Sequence, residues 1–251
     1  ALNLMLEHVD EAFQSRYESE EKMRQFVADA SHELRTPLAS IRGYAELTKR
    51  AGDKLSSDMK QALDRIESES IRMTSLVEDL LLLARLDEGD SFEMESVDLA
   101  QIVRDALSDA YVTSPEHDWG AEGAEEPVLV NGDASALHQV VVNLLANARV
   151  HTPPGTSVEV RLKQTAEKTV LQVEDSGPGI PRDARKRLFE RFARGDSSRA
   201  RSSGSTGLGL SIVDTIVKAH GGTVTLTSKP GKTVFSVSLP QIQVAKNPPI
   251  P

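Results

Sequence analysis

The stretch Phe26-Val27-Ala28-Asp29-Ala30-Ser31-His32-Glu33-Leu34-Arg35-Thr36-Pro37-Leu38 decides how the rest of the chain is read. Phe26, Ala30, Leu34 and Leu38 recur every four residues, so the segment predicts a helix with one apolar stripe. Its polar side carries a His-Glu pair, and Pro37 stands inside it. Pro37 has no N–H for the carbonyl of Glu33 and its ring crowds that carbonyl, a disruption of roughly 3 kcal/mol in an ordinary helix. A bend is expected just beyond His32. Thr36 lies one turn from His32 on the same face, and Glu33, about 100° round the helix, reaches the imidazole with its side chain. Taken alone, a histidine beside a carboxylate on an exposed face is an ordinary solvated pair.

Working outward, Leu2, Leu6, Val9, Phe13, Arg16, Glu20, Met23 and Val27 alternate steps of four and three, a heptad seam with two polar interruptions that implies a partner helix. One long helix is expected to end near Arg50, and Ala51-Gly52-Asp53-Lys54 reads as a turn. A second helix carries Met59, Leu63, Ile66, Met73, Val77, Leu80 and Ala84 at near-heptad spacing. Two such helices form an antiparallel hairpin, too thin for a core of its own. It is expected to dimerise into a four-helix bundle, with Leu76, Leu80, Leu81 and Leu83 thickening the lower core.

Leu86-Asp87-Glu88-Gly89-Asp90 reads as a domain linker. Beyond it, strand and helix patterns alternate: strands at Glu95–Leu99, Val128–Val130, Ser157–Gln164, Thr169–Glu174, Thr223–Ser228 and Thr233–Leu239. Helices are expected over Leu99–Ala110, Ala134–Val150, Pro181–Phe192 and Gly207–Ala219, with 112–127 an exposed loop and Gln241–Pro251 a tail outside the fold. The pattern predicts a mixed sheet covered on one face by helices.

Composition narrows the function classes. A chain of 251 residues with 39% hydrophobic and 27% charged residues has the makings of soluble cores, and 4% aromatics make those cores aliphatic. The absence of cysteine excludes disulfides and thiolate metal sites and fits a reducing compartment. A net charge of -9 argues against a general nucleic-acid binder, which needs a positive surface. No apolar run reaches the about 18 residues of a membrane span, and no signal peptide is evident at the start. Any membrane anchor is expected outside this segment.

Three stretches of the second domain carry chemistry. The nearly all-apolar helix Leu137–Ala148 holds Asn143 and Asn147 one turn apart, and their amide oxygens are hard neutral ligands suited to Mg²⁺; buried amides satisfied by backbone are the plainer alternative. Asp175-Ser176-Gly177-Pro178-Gly179 ends a strand in a glycine turn, where a carboxylate can accept from an exocyclic amine and backbone can approach a planar ligand. The Arg-, Ser- and Gly-rich run from Ala193, opening a helix at Gly207-Leu208-Gly209-Leu210, offers N–H groups and Arg194, Arg199 and Arg201 to phosphate. Metal, purine and phosphate signals in one small domain point to a nucleoside-triphosphate site.

These motifs resemble the catalytic core of bacterial sensor histidine kinases. Ser31–Leu38 looks like the family's H box, Asn143–Ala148 like the N box, Asp175–Gly179 like the G1 box, Leu188–Phe192 like the F box and Gly204–Leu210 like the G2 box. Leu2–Phe13 looks like the tail of a HAMP linker. The resemblance implies an α+β multidomain chain: a signalling helix at 1–19, a dimerisation and phosphotransfer hairpin at 20–88, a linker at 89–95, an α/β sandwich ATP-binding domain of the gyrase/Hsp90/histidine kinase type at 96–240 and a tail at 241–251.

It further implies that His32 is the phosphoacceptor, mostly neutral at pH 7 because an ordinary imidazole has a pKa of about 6.5. Glu33 would be its general base, and Thr36 would orient water in a reverse, phosphatase reaction. ATP would be held by Asn143, Asn147, Asp175, Gly177, Gly179, Arg194, Gly207, Leu208 and Gly209, with Mg²⁺ on Asn147 and Asn143. The implied partners are a second copy of the chain and the receiver domain of a response regulator, with no nucleic acid and with a membrane reached only through a segment beyond this chain; the chain would be the cytoplasmic portion of a membrane sensor. Two departures stand out: Val150 where the family usually has lysine, and Ser205 where glycine is common. An ATP-binding-deficient dimeric scaffold and an ATPase switch of the gyrase/Hsp90 type are the competing readings.

Overall fold

The computed structural model describes residue 34 and residues 36–41, 43–48, 57–87, 92–193 and 206–241. The heptad segment 2–27, His32, Glu33, Arg194 and the tail beyond Gln241 lie outside them. The chain divides into two units, 1–80 and 81–251.

In the first unit α1 is helical at 34, 36–41 and 43–48, and α2 begins there at Ser57 and runs to Asp87, past the division at 80, without a glycine or proline. The chain is helical on the C-terminal side of Pro37, whose side chain is buried, while Thr36 is exposed. Met59, Ala62 and Leu76 are buried. The Arg65 guanidinium lies 5.3 Å from the centre of the Tyr44 ring and donates to its hydroxyl. Leu81 departs from expectation. It is 53% exposed, with Leu63 at 43% and Val77 at 42%. Leu76 and Leu83, seven residues apart, share the buried row, whereas Leu63, Val77 and Leu81 fall on the neighbouring one.

The second unit runs β1 (Glu95–Asp98), α3 (Leu99–Thr113), β2 (Asp118–Glu122), β3 (Leu129–Gly132), α4 (Ala134–His151), β4 (Ser157–Gln164), β5 (Lys168–Asp175), α5 (Arg182–Arg185), α6 (Gly209–Ala219), β6 (Thr223–Lys229) and β7 (Lys232–Pro240). Aspartates start its two longer helices. Asp98 Oδ1 accepts from the Ala100 N–H at 3.0 Å and Asp133 Oδ1 from Ala136 at 2.8 Å, each satisfying a donor that the first turn leaves free.

The main sheet has the order β2-β4-β5-β7-β6, parallel between β2 and β4 and antiparallel elsewhere. Alternation sends Val158, Val160, Leu162, Leu171, Val173, Phe235 and Val237 to one buried face. Helices α3, α4 and α6 pack there through Val103, Leu137, Val141, Leu144, Ile212 and Ile216. The other face is polar: Arg161 bridges Glu122 at 3.0 Å and Glu174 at 2.6 Å, and Lys232 meets Glu174 at 2.8 Å. This is the expected mixed sheet with helices on one side.

Three expectations need correction. Segment 112–127 is not simply a loop: it contains β2, and Trp119 is 3% exposed with its Nε1–H donating to the Ser114 carbonyl at 2.9 Å. The helix expected over Pro181–Phe192 is confined to Arg182–Arg185, because from Lys186 onward tight turns replace it: Arg187 N–H donates to Ala184 and Glu190 N–H to Arg187, at 3.1 and 3.0 Å. Gln241 is not loose tail either, since it bridges Val130 and its N–H reaches the Glu167 carbonyl at 3.2 Å.

Gly132 closes β3 where a Cβ would meet His220 Cδ2 at 2.7 Å and Leu137 Cδ1 at 2.8 Å. The His220 ring has little freedom to yield: Nδ1–H donates to the Ile216 carbonyl at 2.8 Å and Nε2 accepts from the Asp133 N–H at 3.0 Å. Gly132→Ala is therefore expected to destabilise the second unit by about 1–3 kcal/mol through overpacking; urea denaturation at fixed pH measures it.

Candidate functional site

Asp175 is the last residue of β5 and faces the helix-covered side, only 6% exposed. Its Oδ1 accepts from the Gly177 N–H at 2.9 Å. Burial pushes this carboxyl above the ordinary aspartate range; the Gly177 N–H opposes that, and the Glu174 charge adds to it.

The turn that follows is tied on both sides. Ser176 N–H donates to the Ser157 carbonyl at 3.0 Å, Gly231 N–H to the Gly177 carbonyl at 2.9 Å, and Ile180 N–H to Ser228 Oγ at 2.8 Å. The glycines are demanded by protein packing as much as by any ligand. A Cβ at Gly177 would lie 2.6 Å from Thr152 Cγ2, and Gly179, at φ +79°, would put one 2.7 Å from the Lys229 carbonyl.

Asn143 and Asn147 sit one turn apart on α4, both half-buried. The Asn143 Nδ2 is a buried donor without a hydrogen-bond partner. The Asn143 amide also meets the start of α6: a Cβ at Gly209 would stand 3.5 Å from its Oδ1. Leu208 before it is fully buried, and α6 has no side-chain cap on its first N–H groups. Gly207, at φ +74°, packs against the backbone of Phe192, which itself has a φ of +57°. Thus α4 and α6 bring Asn143, Leu208 and Gly209 together, while Asp175, Gly177 and Gly179 share the turn after β5. Thr36 belongs to the other unit. Among the described residues no cluster of three or more His, Cys, Asp or Glu could hold a metal.

Two residues of this region carried no signal of their own. Thr152 closes α4 and lies against Gly177, and His117 bonds Thr152 across 35 positions of sequence. Only the Thr-Pro step at 152–153 marks a helix end there.

Residues 132–243 match the family described as histidine kinase-, DNA gyrase B- and HSP90-like ATPase, and residues 22–89 the His kinase A phospho-acceptor domain. The chain is 58% identical over 240 residues to a protein of Mycobacterium tuberculosis named "Probable sensor histidine kinase TcrY", covering 96% of this chain and 50% of that relative. The structure of a mycobacterial sensor histidine kinase, MprB, is 33% identical, with a TM-score of 0.51 over 59% of this chain and 97% of the other. ShkA, solved full-length in complex with AMPPNP, is 27% identical, with a TM-score of 0.61 over 86% of this chain and 45% of that one. The chain spans about half the length of the curated relatives it matches. No helix among the described residues is long and apolar enough to cross a membrane.

Asp175 has a direct consequence for stability. Its raised pKa means that the folded chain binds a proton more tightly than the unfolded one, so stability falls as pH rises from the ordinary aspartate value through the raised one. Asp175→Asn keeps the acceptor for Gly177 and removes the charge. It is expected to be more stable than the parent at pH 7, the gap closing below the ordinary aspartate pKa of about 3.9. Urea denaturation at both pH values checks the sign.

Proposed function

The chain belongs to the sensor histidine kinases of bacterial two-component systems, and we propose that it is the autophosphorylating core of such a sensor, using ATP to phosphorylate His32. The observation that carries this reading is the buried Asp175 carboxylate: Oδ1 is held by the Gly177 N–H, and its second oxygen is the acceptor offered to the amino group of adenine. Gly177 and Gly179 let the backbone of that turn approach a planar ligand closely. The start of α6 at Gly207, Leu208 and Gly209, with Arg194, takes the phosphates.

His32 attacks the γ-phosphorus with a ring-nitrogen lone pair. A P–N bond forms, the bond to the bridging oxygen breaks, and its electrons leave on ADP, while Glu33 takes the proton of the other ring nitrogen. Asn147 and Asn143 would hold Mg²⁺ through their neutral amide oxygens. When bound, the ion neutralises charge on the transferring group. The phosphoryl group then passes to an aspartate of a response-regulator receiver domain, and Thr36 orients water for the reverse, phosphatase reaction.

The row Leu63, Val77 and Leu81 on α2 is the apolar seam offered to a second copy, making a homodimeric four-helix bundle. The sensor and its membrane anchor belong to sequence beyond this segment, which would be its cytoplasmic portion, and the acidic charge gives nucleic acid no role. Steady ATP hydrolysis by a switch enzyme is disfavoured, since the carboxamide of Asn143 cannot accept a proton from water.

Incubation with γ-labelled ATP and Mg²⁺ is expected to leave an acid-labile label on the chain that His32→Gln abolishes. Label surviving in that variant overturns the assignment of His32, and failure to bind ATP at millimolar concentration favours the dimeric scaffold.

A further inference from the structure

We propose that Thr152 and His117 are positioning residues for purine recognition, an inference that rests on the ATP reading of the Asp175 turn. Thr152 caps α4: its N–H donates to the Ala148 carbonyl at 3.1 Å and its hydroxyl donates to the same oxygen at 2.8 Å. A hydroxyl has one proton, and that proton is committed to Ala148. In the contact of 3.0 Å between Thr152 Oγ1 and His117 Nε2, the histidine is therefore the donor.

This fixes the ring. Nε2 carries a proton, and Nδ1 faces Ser114 Oγ at 3.3 Å, with Glu116 Oε1 at 3.7 Å. His117 is 6% exposed, its ring centre 5.5 Å from that of Trp119, so it has no space to swing away. The loops on either side are laced together as well: Gly155 N–H donates to the Glu116 carbonyl at 2.7 Å and Asp118 N–H to the Thr156 carbonyl at 3.1 Å.

The methyl end of Thr152 does the positioning. Its Cγ2 fills the volume that a side chain at Gly177 would need, and the Gly177 N–H in turn holds Asp175 Oδ1. Thr152 is also five residues from Asn147 on the same helix end. One side chain thus sets the separation between the helix that carries the metal-side amides and the turn that carries the purine-reading carboxylate. His117 locks its rotamer from behind without touching either.

The test compares ATP with inosine triphosphate, which has a carbonyl where adenine has the amine, in autophosphorylation by the parent and by Thr152→Val, His117→Ala and His117→Gln. Thr152→Val keeps the methyl packing and loses the hydroxyl. It is expected to raise the KM for ATP roughly fivefold, the share of one neutral hydrogen bond, with kcat little changed, and to lower the preference for ATP over inosine triphosphate. His117→Ala should do the same and His117→Gln, whose amide can donate to Thr152, should restore parent values. The double variant should be no worse than either single one. Parent KM and parent purine preference in Thr152→Val overturn the proposal, whatever happens to its melting temperature; the near-isosteric Val and Gln variants decide the matter even if the Ala variant does not fold. A parent chain that cannot bind ATP instead overturns the reading beneath.

Discussion

A carboxylate held under the helices at the end of a strand is the constraint around which the second unit is arranged. Burying an ionised carboxyl is costly unless donors meet it, and Asp175 has one backbone N–H, that of Gly177. That single bond requires the chain to reverse at once, and the reversal is possible because Thr152 fits against a residue without a side chain. The β6–β7 connection then closes over the turn through Gly231 and Ser228. A fold optimised for stability alone would place an uncharged residue here; on the proposed reading, keeping the acid trades stability for recognition of adenine.

Much of this architecture is legible in the chain because its causes are local. The aspartates at 98 and 133 announce the starts of α3 and α4, and period-two alternation exposes β4, β5 and β7, each with one buried face. Strand β2 is hidden for the opposite reason. Asp-Trp-Gly-Ala-Glu is too polar and short to look like a strand, and it becomes one only by lying parallel to β4, some 39 positions away. The stretch after Pro181 looks helical because Leu188, Phe189 and Phe192 are spaced for it, yet no side chain caps its start and tight turns take over after one turn.

The candidate site divides along the same line. Asparagines one turn apart and the glycine-bounded aspartate are visible as residue types in a pattern. The reason for the glycines is not, because Gly177 answers to Thr152 and Gly179 to Lys229, partners that only the fold supplies. His117 and Thr152 could not have been paired from sequence, since neither residue type demands the other. The apolar row of α2 shows the limit in the hairpin: heptad spacing names Leu63 and Val77 as seam residues and Leu81 is expected in the lower core, but a single chain leaves all three facing solvent.

Two unfavourable features of the second unit have complementary cures. Asp175 is a buried acceptor with more capacity than one N–H can fill, and Asn143 Nδ2 is a buried donor with nothing to fill it. An unsatisfied buried donor costs about 1–3 kcal/mol, and burial disfavours the charged form of Asp175, so both are liabilities in the free chain. On the proposed reading, a ligand with an amino group at one end and anionic oxygens at the other would remove both. Its binding then contributes more than the new contacts alone, because it also relieves penalties that the free chain carries.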